Sequence, residues 1–381
     1  MATIKNKNIL LLTPFFTPNI GGVESHLDDL VNKLDQLNYK VFVHTYSPIT
    51  TPNVKWKSNE NIGKNIKIKR YYWFGKELFH KIEKYPFFDF VYLTPYLFLR
   101  TFFWMIFNSQ KIDVIHAQGL NASLAGFALK LIFHKKLITS IHAIYETKPN
   151  STTAKLMANI LNKSDHILSL SKASEKELLS FGVEPKKLHV YKYWIQTKNF
   201  YPLNKTETRK QFKIDNKFTV IFVGRLIRKK GVRVLIKVAQ NLPKINFIFI
   251  GTGPESNYLL EQKKYSNINY FGRIANNQLL SYYNLADLFC IPSLYEEGFG
   301  RVVMEAVACG LPVVGSNKGG IKEALDESVS ILTKPTFINL KNNINKLSKD
   351  LKLYKKIQNN TIIFAQKNFS DKNISLITKY Y

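Results

Sequence analysis

The feature that most limits the possible folds of this chain is a 30-residue stretch, Glu296–Leu325. A short apolar run ends at Pro292 just before it, a Gly-Phe-Gly loop follows at positions 298–300, and a helical pattern begins next. A strand, a glycine loop and a helix in this order form the binding crevice at the carboxyl ends of the strands in α/β sheets. The stretch therefore predicts an α/β fold with a ligand site in this loop.

Two carboxylates in this stretch, Glu297 and Glu305, lie eight positions apart. The glycines between them allow the backbone to approach a ligand closely, and a helix that begins near Arg301 offers free N–H groups to an anion. A carboxylate has two acceptor oxygens, so it can bind both hydroxyls of a cis-diol. An anion site beside two such carboxylates indicates a nucleotide sugar. Without the surrounding stretch, the two glutamates could equally both be solvated surface charges.

The stretch resembles the E-x7-E signature of retaining glycosyltransferases with the GT-B fold, in particular glycosyltransferase family 4 (glycosyl transferases group 1). The resemblance implies an α/β protein with two Rossmann-like, doubly wound domains that face each other across a cleft. It also implies transfer of a sugar from a nucleotide-sugar donor with retention of the anomeric configuration. The matching residues are Pro292-Ser293, Glu297 to Gly300, Glu305-Ala306, Gly310 to Val314, Gly319-Gly320 and Glu323.

Alternating strand and helix patterns run through 381 residues, which is enough chain for two domains with their own cores. We expect an acceptor-side Rossmann-like domain at 1–195, a linker at 196–217 and a nucleotide-sugar-binding Rossmann-like domain at 218–360. A C-terminal helix at 361–381 should pack back on the first domain. In the linker region Phe200 to Pro202 match the family, but Tyr193 to Gln196 replace its usual Asn-Gly-Val-Asp run.

The first domain has its own candidate site at the ends of predicted strands. Gly21 and Gly22 follow the first strand and open a helix, so they form either a phosphate cradle or a simple tight turn. The resemblance implies that these glycines lie beside the donor diphosphate or the acceptor. Family members often carry His-x-His at the end of a later strand, where this chain has His116 and Gln118. His142 matches a histidine that faces the cleft in the family. We expect these three residues on the acceptor side and count His142 among the catalytic candidates.

Basic residues of the second domain follow its first strand, which ends at Val223. Gly224, Arg225 and Lys230 match the family pattern G-R-L-x-x-x-K-G, and a guanidinium and an ammonium group in this loop can neutralise a diphosphate. The resemblance adds donor contacts near the nucleotide base at Gly251, Gly253, Arg273 and Ile274. It also implies donor contacts at Phe299 and Gly300 in the glycine loop. By the same resemblance, Glu305 binds the ribose and Glu297 binds the transferred sugar.

No Asp-x-Asp pair is present to hold a divalent metal on a diphosphate, so we expect neither a metal nor another cofactor. The negative charge of the leaving group would then be stabilised by Arg225, Lys230 and helix N-termini, which is electrostatic catalysis. Glu297 is expected to position the sugar rather than to attack it. A nucleotide-sugar epimerase or hydrolase with the same architecture remains the alternative function.

Lysine and arginine number 55 against 27 acidic residues, a net charge of +28, which indicates an anionic partner. The basic residues are spread out and form no nucleic-acid module, so we expect no nucleic acid. The segment 71–107 is rich in Phe, Tyr, Trp and Leu and has no uncharged run of 18 residues, so a membrane-spanning helix is not expected. It forms either core helices or an interfacial surface whose basic residues contact anionic lipid. Those basic residues are Lys76, Lys81, Lys84 and Arg100.

We expect no signal peptide at the N-terminus, because the apolar run from Ile9 to Leu12 is too short. Cys290 and Cys309 have neither disulfide nor zinc spacing and indicate a reducing compartment. We therefore expect a cytoplasmic protein, peripheral at the inner face of the cell membrane, with a lipid-linked or saccharide acceptor.

Overall fold

A computed structural model describes residues 7–51, 53–75, 78–82 and 85–381 of the chain. Lys76 and Lys84, which belong to the predicted interfacial segment, lie outside the described residues. The chain divides into two compact units. The first unit comprises Met1–Lys192 together with Lys372–Tyr381, and the second unit comprises Tyr193–Asp371.

The described residues of the first unit form eight strands in one sheet of order β3-β4-β2-β1-β5-β6-β7-β8, in which every pair is parallel except β3 and β4. The strands are β1 (Asn8–Leu12), β2 (Lys40–Tyr46), β3 (Asn59–Ile62), β4 (Ile66–Tyr71), β5 (Val114–Gln118), β6 (Lys136–Ile141), β7 (His166–Ser169) and β8 (Leu188–Val190). Its helices are α1 (Gly22–Gln36), α2 (Leu78–Ile82), α3 (Pro86–Asn108), α4 (Gly119–Phe133), α5 (Thr152–Leu161) and α6 (Lys172–Phe181).

The second unit contains six parallel strands in the order β11-β10-β9-β12-β13-β14. Its strands are β9 (Thr219–Val223), β10 (Asn246–Ile250), β11 (Ile268–Tyr270), β12 (Leu288–Ile291), β13 (Val313–Ser316) and β14 (Ser330–Thr333). Its helices are α7 (Lys205–Gln211), α8 (Val232–Gln240), α9 (Ser256–Glu261), α10 (Leu279–Leu285), α11 (Arg301–Ala308), α12 (Gly319–Ala324), α13 (Phe337–Lys349) and α14 (Leu351–Asn368). The last helix of the chain, α15 (Ser375–Thr378), belongs to the first unit.

Both sheets are those of Rossmann-like domains, as the sequence predicts. Counted along the second unit, the strand order is 3-2-1-4-5-6, and the direction of winding reverses between β9 and β12. In the first unit the reversal falls between β1 and β5. Ligands of open α/β sheets bind outside the carboxyl ends of the strands at such a reversal. A ligand of the second unit is therefore expected at the loops that follow β9 and β12.

Strands β9 and β10 are short, largely apolar runs buried on both faces, as in parallel sheets, and such runs are readily predicted from the sequence. All five residues of β9 and of β10 are buried. Strand β3 was not predicted, because its sequence, Asn-Glu-Asn-Ile, carries no apolar alternation. It lies at the edge of the sheet, where only β4 pairs with it.

Helix α3 is apolar on two faces. One face carries Leu93, Leu97 and Met105, which are fully buried against the sheet of the first unit. Among the described residues one helix, Phe88–Lys111, is long and apolar enough to cross a membrane. Only a third of its apolar 18-residue window is buried, and a core helix passes the same criterion. The buried face and the bond from the Asn121 amide to Asp89 (2.7 Å) fasten α3 to its own unit.

The last residues of the chain complete the core of the first unit. The Tyr381 hydroxyl lies 2.9 Å from Nδ1 of His116, and the Lys7 ammonium donates to the main-chain oxygen of Tyr381. The ring of Tyr380 stacks on His189 at 4.3 Å between centroids. Residues 372–381 are therefore an integral part of this unit.

Candidate functional site

The loops after β9 and β10 meet through their glycines in the second unit. Gly251 has a φ of +130°, and a Cβ atom on it would lie 1.9 Å from the carbonyl oxygen of Gly224. A Cβ on Gly253 would lie 2.5 Å from the carbonyl oxygen of Leu226. These close approaches of backbone explain why glycine is required at these positions, whether or not a ligand also contacts them.

Lys230 and Glu297 form an ion pair at the reversal point of the second sheet. The Lys230 ammonium lies 2.6 Å from Oε2 of Glu297, and the Ser293 hydroxyl donates to Oε1. The side chains of Lys230 and Glu297 are only 14% and 6% exposed. Lys230 follows β9 and Glu297 follows β12, so the topology brings together two residues that are 67 positions apart.

The charge of Lys230 is maintained by its neighbours. Burial alone would lower the pKa of Lys230, but the adjacent Glu297 carboxylate and the contact with Tyr295 raise it above its ordinary value. The ammonium lies 5.6 Å from the centroid of the Tyr295 ring. Lys230 is therefore a fixed cation at neutral pH, and a bound phosphate could compete with Glu297 for it.

Glu305 lies one turn into α11 and is 1% exposed. Its Oε1 accepts hydrogen bonds from Arg301 Nε (3.0 Å) and Asn276 Nδ2 (3.1 Å), and its Oε2 accepts one from the Tyr283 hydroxyl (2.9 Å). Burial raises the pKa of Glu305, and the nearby Arg301 guanidinium and these hydrogen bonds only partly offset that rise. The carboxylate is thus buried but well supplied with donors.

The start of α12 packs directly against the loop that carries Glu297. The Gly320 amide donates to the Glu297 carbonyl at 2.7 Å. A Cβ on Gly320 would lie 1.8 Å from the carbonyl oxygen of Gly298, so a side chain cannot fit there. The Gly-Gly pair of the sequence signature therefore fixes the conformation of the glycine loop.

The remaining predicted donor residues surround these loops. Phe299 is buried and its ring lies 6.1 Å from that of Tyr193, whereas Arg225 and Arg273 are exposed and Ile274 is half-buried. Arg225, Arg273 and Ile274 follow β9 and β11, so each lies at the carboxyl edge of the same sheet. Their contacts with a donor stay a prediction.

Glu255 is a buried carboxylate that the sequence analysis did not select. It is 4% exposed and binds the guanidinium groups of Arg228 and Arg233. Arg228 belongs to the same loop as Lys230, so Glu255 fastens that loop to the start of α9. This role is structural, and no spacing in the sequence reveals it.

In the first unit, β5 and β6 bring the three acceptor-side candidates to one region. His142 Nε2 lies 2.8 Å from Oε1 of Gln118, and His142 is half-buried. His116 is fully buried, with Ser140 and Tyr381 bonded to its two ring nitrogens. Burial lowers the pKa of both histidines to about 3. His116 therefore supports the core, and His142 is the better placed of the two for a ligand.

Gly21 and Gly22 lie where the sequence predicts, at the start of α1. A Cβ on Gly21 would meet the Glu24 carboxylate at 2.2 Å, whereas nothing lies within 4 Å of a Cβ on Gly22. The space beside Gly22 is open. Within the described part of the chain, no three His, Cys, Asp or Glu side chains gather as a metal site would require, and metal independence stays a prediction.

Two Rossmann-like units in one chain, with a basic loop and two buried carboxylates in the second, define a protein of the GT-B class. Solved structures share this fold over 98% of both chains. HepE from Anabaena in complex with UDP and glucose has a TM-score of 0.77 at 21% identity. Sucrose-phosphate synthase from Thermosynechococcus elongatus has a TM-score of 0.80 at 20% identity.

Residues 20–197 match the family model described as Glycosyltransferase Family 4, and residues 204–363 match that of Glycosyl transferases group 1. The chain belongs to the family 4 glycosyltransferases with the GT-B fold, so the family and the fold predicted from its E-x7-E stretch are confirmed.

Two relatives show how far the similarity extends. The first is human and forms part of a phosphatidylinositol N-acetylglucosaminyltransferase. It is 26% identical over 348 residues, which are 87% of this chain and 66% of that protein. The chain thus spans about two thirds of the length of the human relative. The second, an uncharacterized glycosyltransferase of Methanocaldococcus jannaschii, is 26% identical over 389 residues, 95% of this chain and 94% of that protein.

Proposed function

We propose that this protein transfers a sugar from a nucleotide-sugar donor to a lipid-linked acceptor, with retention of configuration and without a metal. The observation that carries the proposal is the buried Lys230–Glu297 pair at the reversal point of the second sheet. A cation for a diphosphate and a carboxylate for sugar hydroxyls stand side by side there. The HepE structure, which has UDP and glucose bound, supports a nucleotide-sugar donor.

Each residue of this site has a distinct part in the proposed reaction. Arg225, Lys230 and the N-terminus of α11 bind the diphosphate, and Glu305 binds the ribose. When the diphosphate binds the Lys230 ammonium in place of Glu297, the Glu297 carboxylate can accept hydrogen bonds from the hydroxyls of the transferred sugar. Because Lys230 is held in a largely buried position, its charge stabilises the leaving group more strongly than the same charge would in water.

In the proposed transfer, the bond between the anomeric carbon and the diphosphate oxygen breaks, and its electron pair leaves with the nucleoside diphosphate. The acceptor hydroxyl oxygen bonds to the anomeric carbon on the same face of the sugar. Its proton passes to the departing diphosphate, so no protein side chain is needed as a base. Attack on the face from which the diphosphate departs accounts for retention without a covalent enzyme intermediate, and Glu297 orients the anomeric carbon for this attack.

The outer face of α3 supports a membrane-held acceptor. Six apolar side chains on it are 47% to 82% exposed at helical spacing: Phe88, Val91, Leu99, Phe103, Ile106 and Phe107. The Phe102 and Phe133 rings lie 5.8 Å apart, so α4 continues this face with its exposed Leu131 and Ile132. We name these eight residues the α3–α4 apolar face. Such a face on a protein of charge +28 suits the surface of an anionic bilayer.

The α3–α4 apolar face also supports the proposed location and acceptor. Arg100 and Lys111 are exposed beside it, where they would meet lipid phosphates as the apolar side chains enter the headgroup region. The human relative belongs to a transferase named for phosphatidylinositol, which also supports a lipid acceptor. We place the protein at the cytoplasmic face of a membrane, bound peripherally.

Release of nucleoside diphosphate from a panel of nucleotide sugars, with and without a total lipid extract, tests the transfer. We expect lipid-stimulated release from one donor, reduced about 100- to 1,000-fold in Glu297→Gln. Product analysis should show the sugar on a lipid in the same anomeric configuration as the donor. Release without lipid dependence and without a glycolipid product would contradict the proposal in favour of a nucleotide-sugar hydrolase or epimerase.

Sedimentation with vesicles of phosphatidylcholine and phosphatidylglycerol tests the membrane surface. We expect binding at low salt that is lost in Phe103→Ser/Phe107→Ser but kept in the control Leu351→Ser/Ile363→Ser. The control residues are 67% and 68% exposed and lie on α14 of the second unit. Equal binding by both double variants would reject the α3–α4 apolar face as the docking surface.

A further inference from the structure

The carboxylate of Glu305 is nearly saturated with hydrogen bonds before any ligand arrives. A carboxylate accepts about four hydrogen bonds, two on each oxygen. Arg301 and Asn276 fill both positions on Oε1, and Tyr283 fills one position on Oε2. A cis-diol offers two hydroxyls, and only one position is open. One present partner must therefore leave Glu305 when a ribose binds through both hydroxyls.

Burial indicates which partner leaves. Tyr283 is fully buried and Arg301 is 7% exposed, so neither could turn away without burying an unsatisfied hydroxyl or an uncompensated charge. Asn276 is half-buried, begins a 3-10 turn (Asn276–Gln278) and precedes the exposed Asn277. An amide on such a turn can exchange its partner for water at little cost. Of these three partners, Asn276 is the one that can move.

Arg301 is held from a second side. It opens α11, where a cation is disfavoured by the helix dipole, so its position needs a specific counter-charge. Glu305 at i+4 supplies that charge, and Nη1 of Arg301 also faces the carbonyl oxygen of Trp194 at 3.5 Å. Trp194 is fully buried, and the next residue, Ile195, donates its amide to the carbonyl of Phe369 at 3.2 Å.

These contacts give a role to the segment that departs from the family sequence. Tyr193, Trp194 and Ile195 are all buried within the second unit, and the Tyr193 ring lies beside Phe299 of the glycine loop. The segment is therefore not a loose connector. It forms the wall against which Arg301, and through it Glu305, is fixed.

We propose that Arg301 and Tyr283 are positioning residues that hold the Glu305 carboxylate in place, and that Asn276 is the exchangeable partner that a ribose hydroxyl replaces. The proposal rests on the proposed function, in which Glu305 binds the ribose of the donor nucleotide. It adds that recognition of the ribose depends on residues that never contact the substrate. It also makes the ligand-free protein a form in which Asn276 closes the ribose site.

Calorimetric titration with UDP, GDP and ADP, each beside its 2′,3′-dideoxy counterpart, tests this inference. The quantity measured is the ribose preference, the ratio of dissociation constants of the dideoxy form and the ribo form. One lost hydrogen bond to a charged group corresponds to about a tenfold change in affinity. We expect Tyr283→Phe and Arg301→Met to lower the ribose preference about five- to tenfold, because the carboxylate is no longer held in place.

Asn276→Ala should change the ribose preference in the opposite direction. Without the amide to displace, the ribo form binds about two- to fivefold more tightly, whereas the dideoxy form, which leaves Asn276 in place, binds as before. The exposed neighbour provides the control, and Asn277→Ala should leave the ratio unchanged. Arg301→Lys, which keeps the charge beside Glu305, should restore part of the preference lost in Arg301→Met.

The outcomes separate the two proposals. If no nucleotide binds the wild-type protein, the proposed function fails and this inference fails with it. If the wild-type protein binds a nucleotide and shows a ribose preference, but Tyr283→Phe and Arg301→Met weaken both forms equally, only the inference fails. A loss of preference in Asn276→Ala would likewise overturn it, because Asn276 would then be a ligand of the ribose.

Discussion

In the proposed function, the contact between Lys230 and Glu297 contributes to stability in the ligand-free protein and to donor binding during the reaction. Removing one member leaves the other charge buried without its partner, which typically costs about 3–5 kcal/mol. Replacing both with neutral residues of similar shape avoids that cost. The contact is 2.6 Å long and both side chains are largely buried, so the pair is a sensitive place to test this idea.

We expect Lys230→Met to lower the free energy of unfolding of the second unit by about 3–5 kcal/mol. The double variant Lys230→Met/Glu297→Gln should recover at least half of that loss. Both variants should lose transferase activity. Urea denaturation of the single and double variants measures the coupling. The exposed pair Lys186–Glu184 is the control, and Lys186→Met should not shift the urea midpoint. A double variant less stable than Lys230→Met would show that the two residues do not act as a pair.

Single residues also show how far the sequence could predict the site. Arg225, Lys230, Glu297 and Glu305 could be predicted because they lie in or just after loops that follow predicted strands and because they match the motifs of the family. Tyr283 could not be predicted, because its contact with Glu305 spans 22 positions and depends on how α10 packs beside α11. Spacing along the chain shows which residues share a loop or a helix face, but not which helices become neighbours.

Among the secondary-structure elements, those buried on both faces were the easiest to predict. Strand β9 consists only of apolar and β-branched residues, so its bounds could be predicted from the sequence. Strand β3 and helix α7 were missed because β3 is polar and α7, with the sequence Lys-Thr-Glu-Thr-Arg-Lys-Gln, has no apolar stripe. The position of α7 is set by tertiary contacts instead, for example the ion pair of Lys205 with Asp287 at 2.6 Å.

The contact of α12 with the glycine loop gives a prediction for this pair of elements. We expect Gly320→Ala to lower the free energy of unfolding by about 1–3 kcal/mol, because its methyl group would collide with the carbonyl of Gly298. Gly22→Ala is the matched control, since Gly22 also lies in the first turn of a helix but has open space around it. Thermal unfolding of both variants makes the comparison. Gly22→Ala should lose no stability, because alanine is the better helix former, and equal losses in the two variants would contradict the collision as the cause.

At the scale of the whole molecule, the first unit should be sensitive to acid. Burial lowers the pKa of His44, His116 and His142 to about 3, against about 6.5 in an unfolded chain. The unfolded chain therefore binds protons that the folded unit does not. The stability contributed by these neutral histidines is complete above pH 6.5 and is lost as the pH falls from 6.5 towards 3.

We expect the urea midpoint of the protein to fall steadily between pH 6.5 and pH 4. In His44→Gln, the dependence of the unfolding free energy on pH in this range should decrease by about one proton, because one titrating site is removed. Circular dichroism at four pH values measures both slopes. The half-exposed His189 provides the control, and His189→Gln should change the slope less than His44→Gln.

The return of residues 372–381 to the first unit also affects synthesis of the protein. A ribosome delivers these residues after every other part of that unit and after the whole of the second unit. Domains generally fold as units while the chain is being made. The second unit can thus fold first, whereas His116 and Lys7 can form their contacts with Tyr381 only after Tyr381 has been made. The nascent first unit would therefore be a natural client for chaperones until its last ten residues are made.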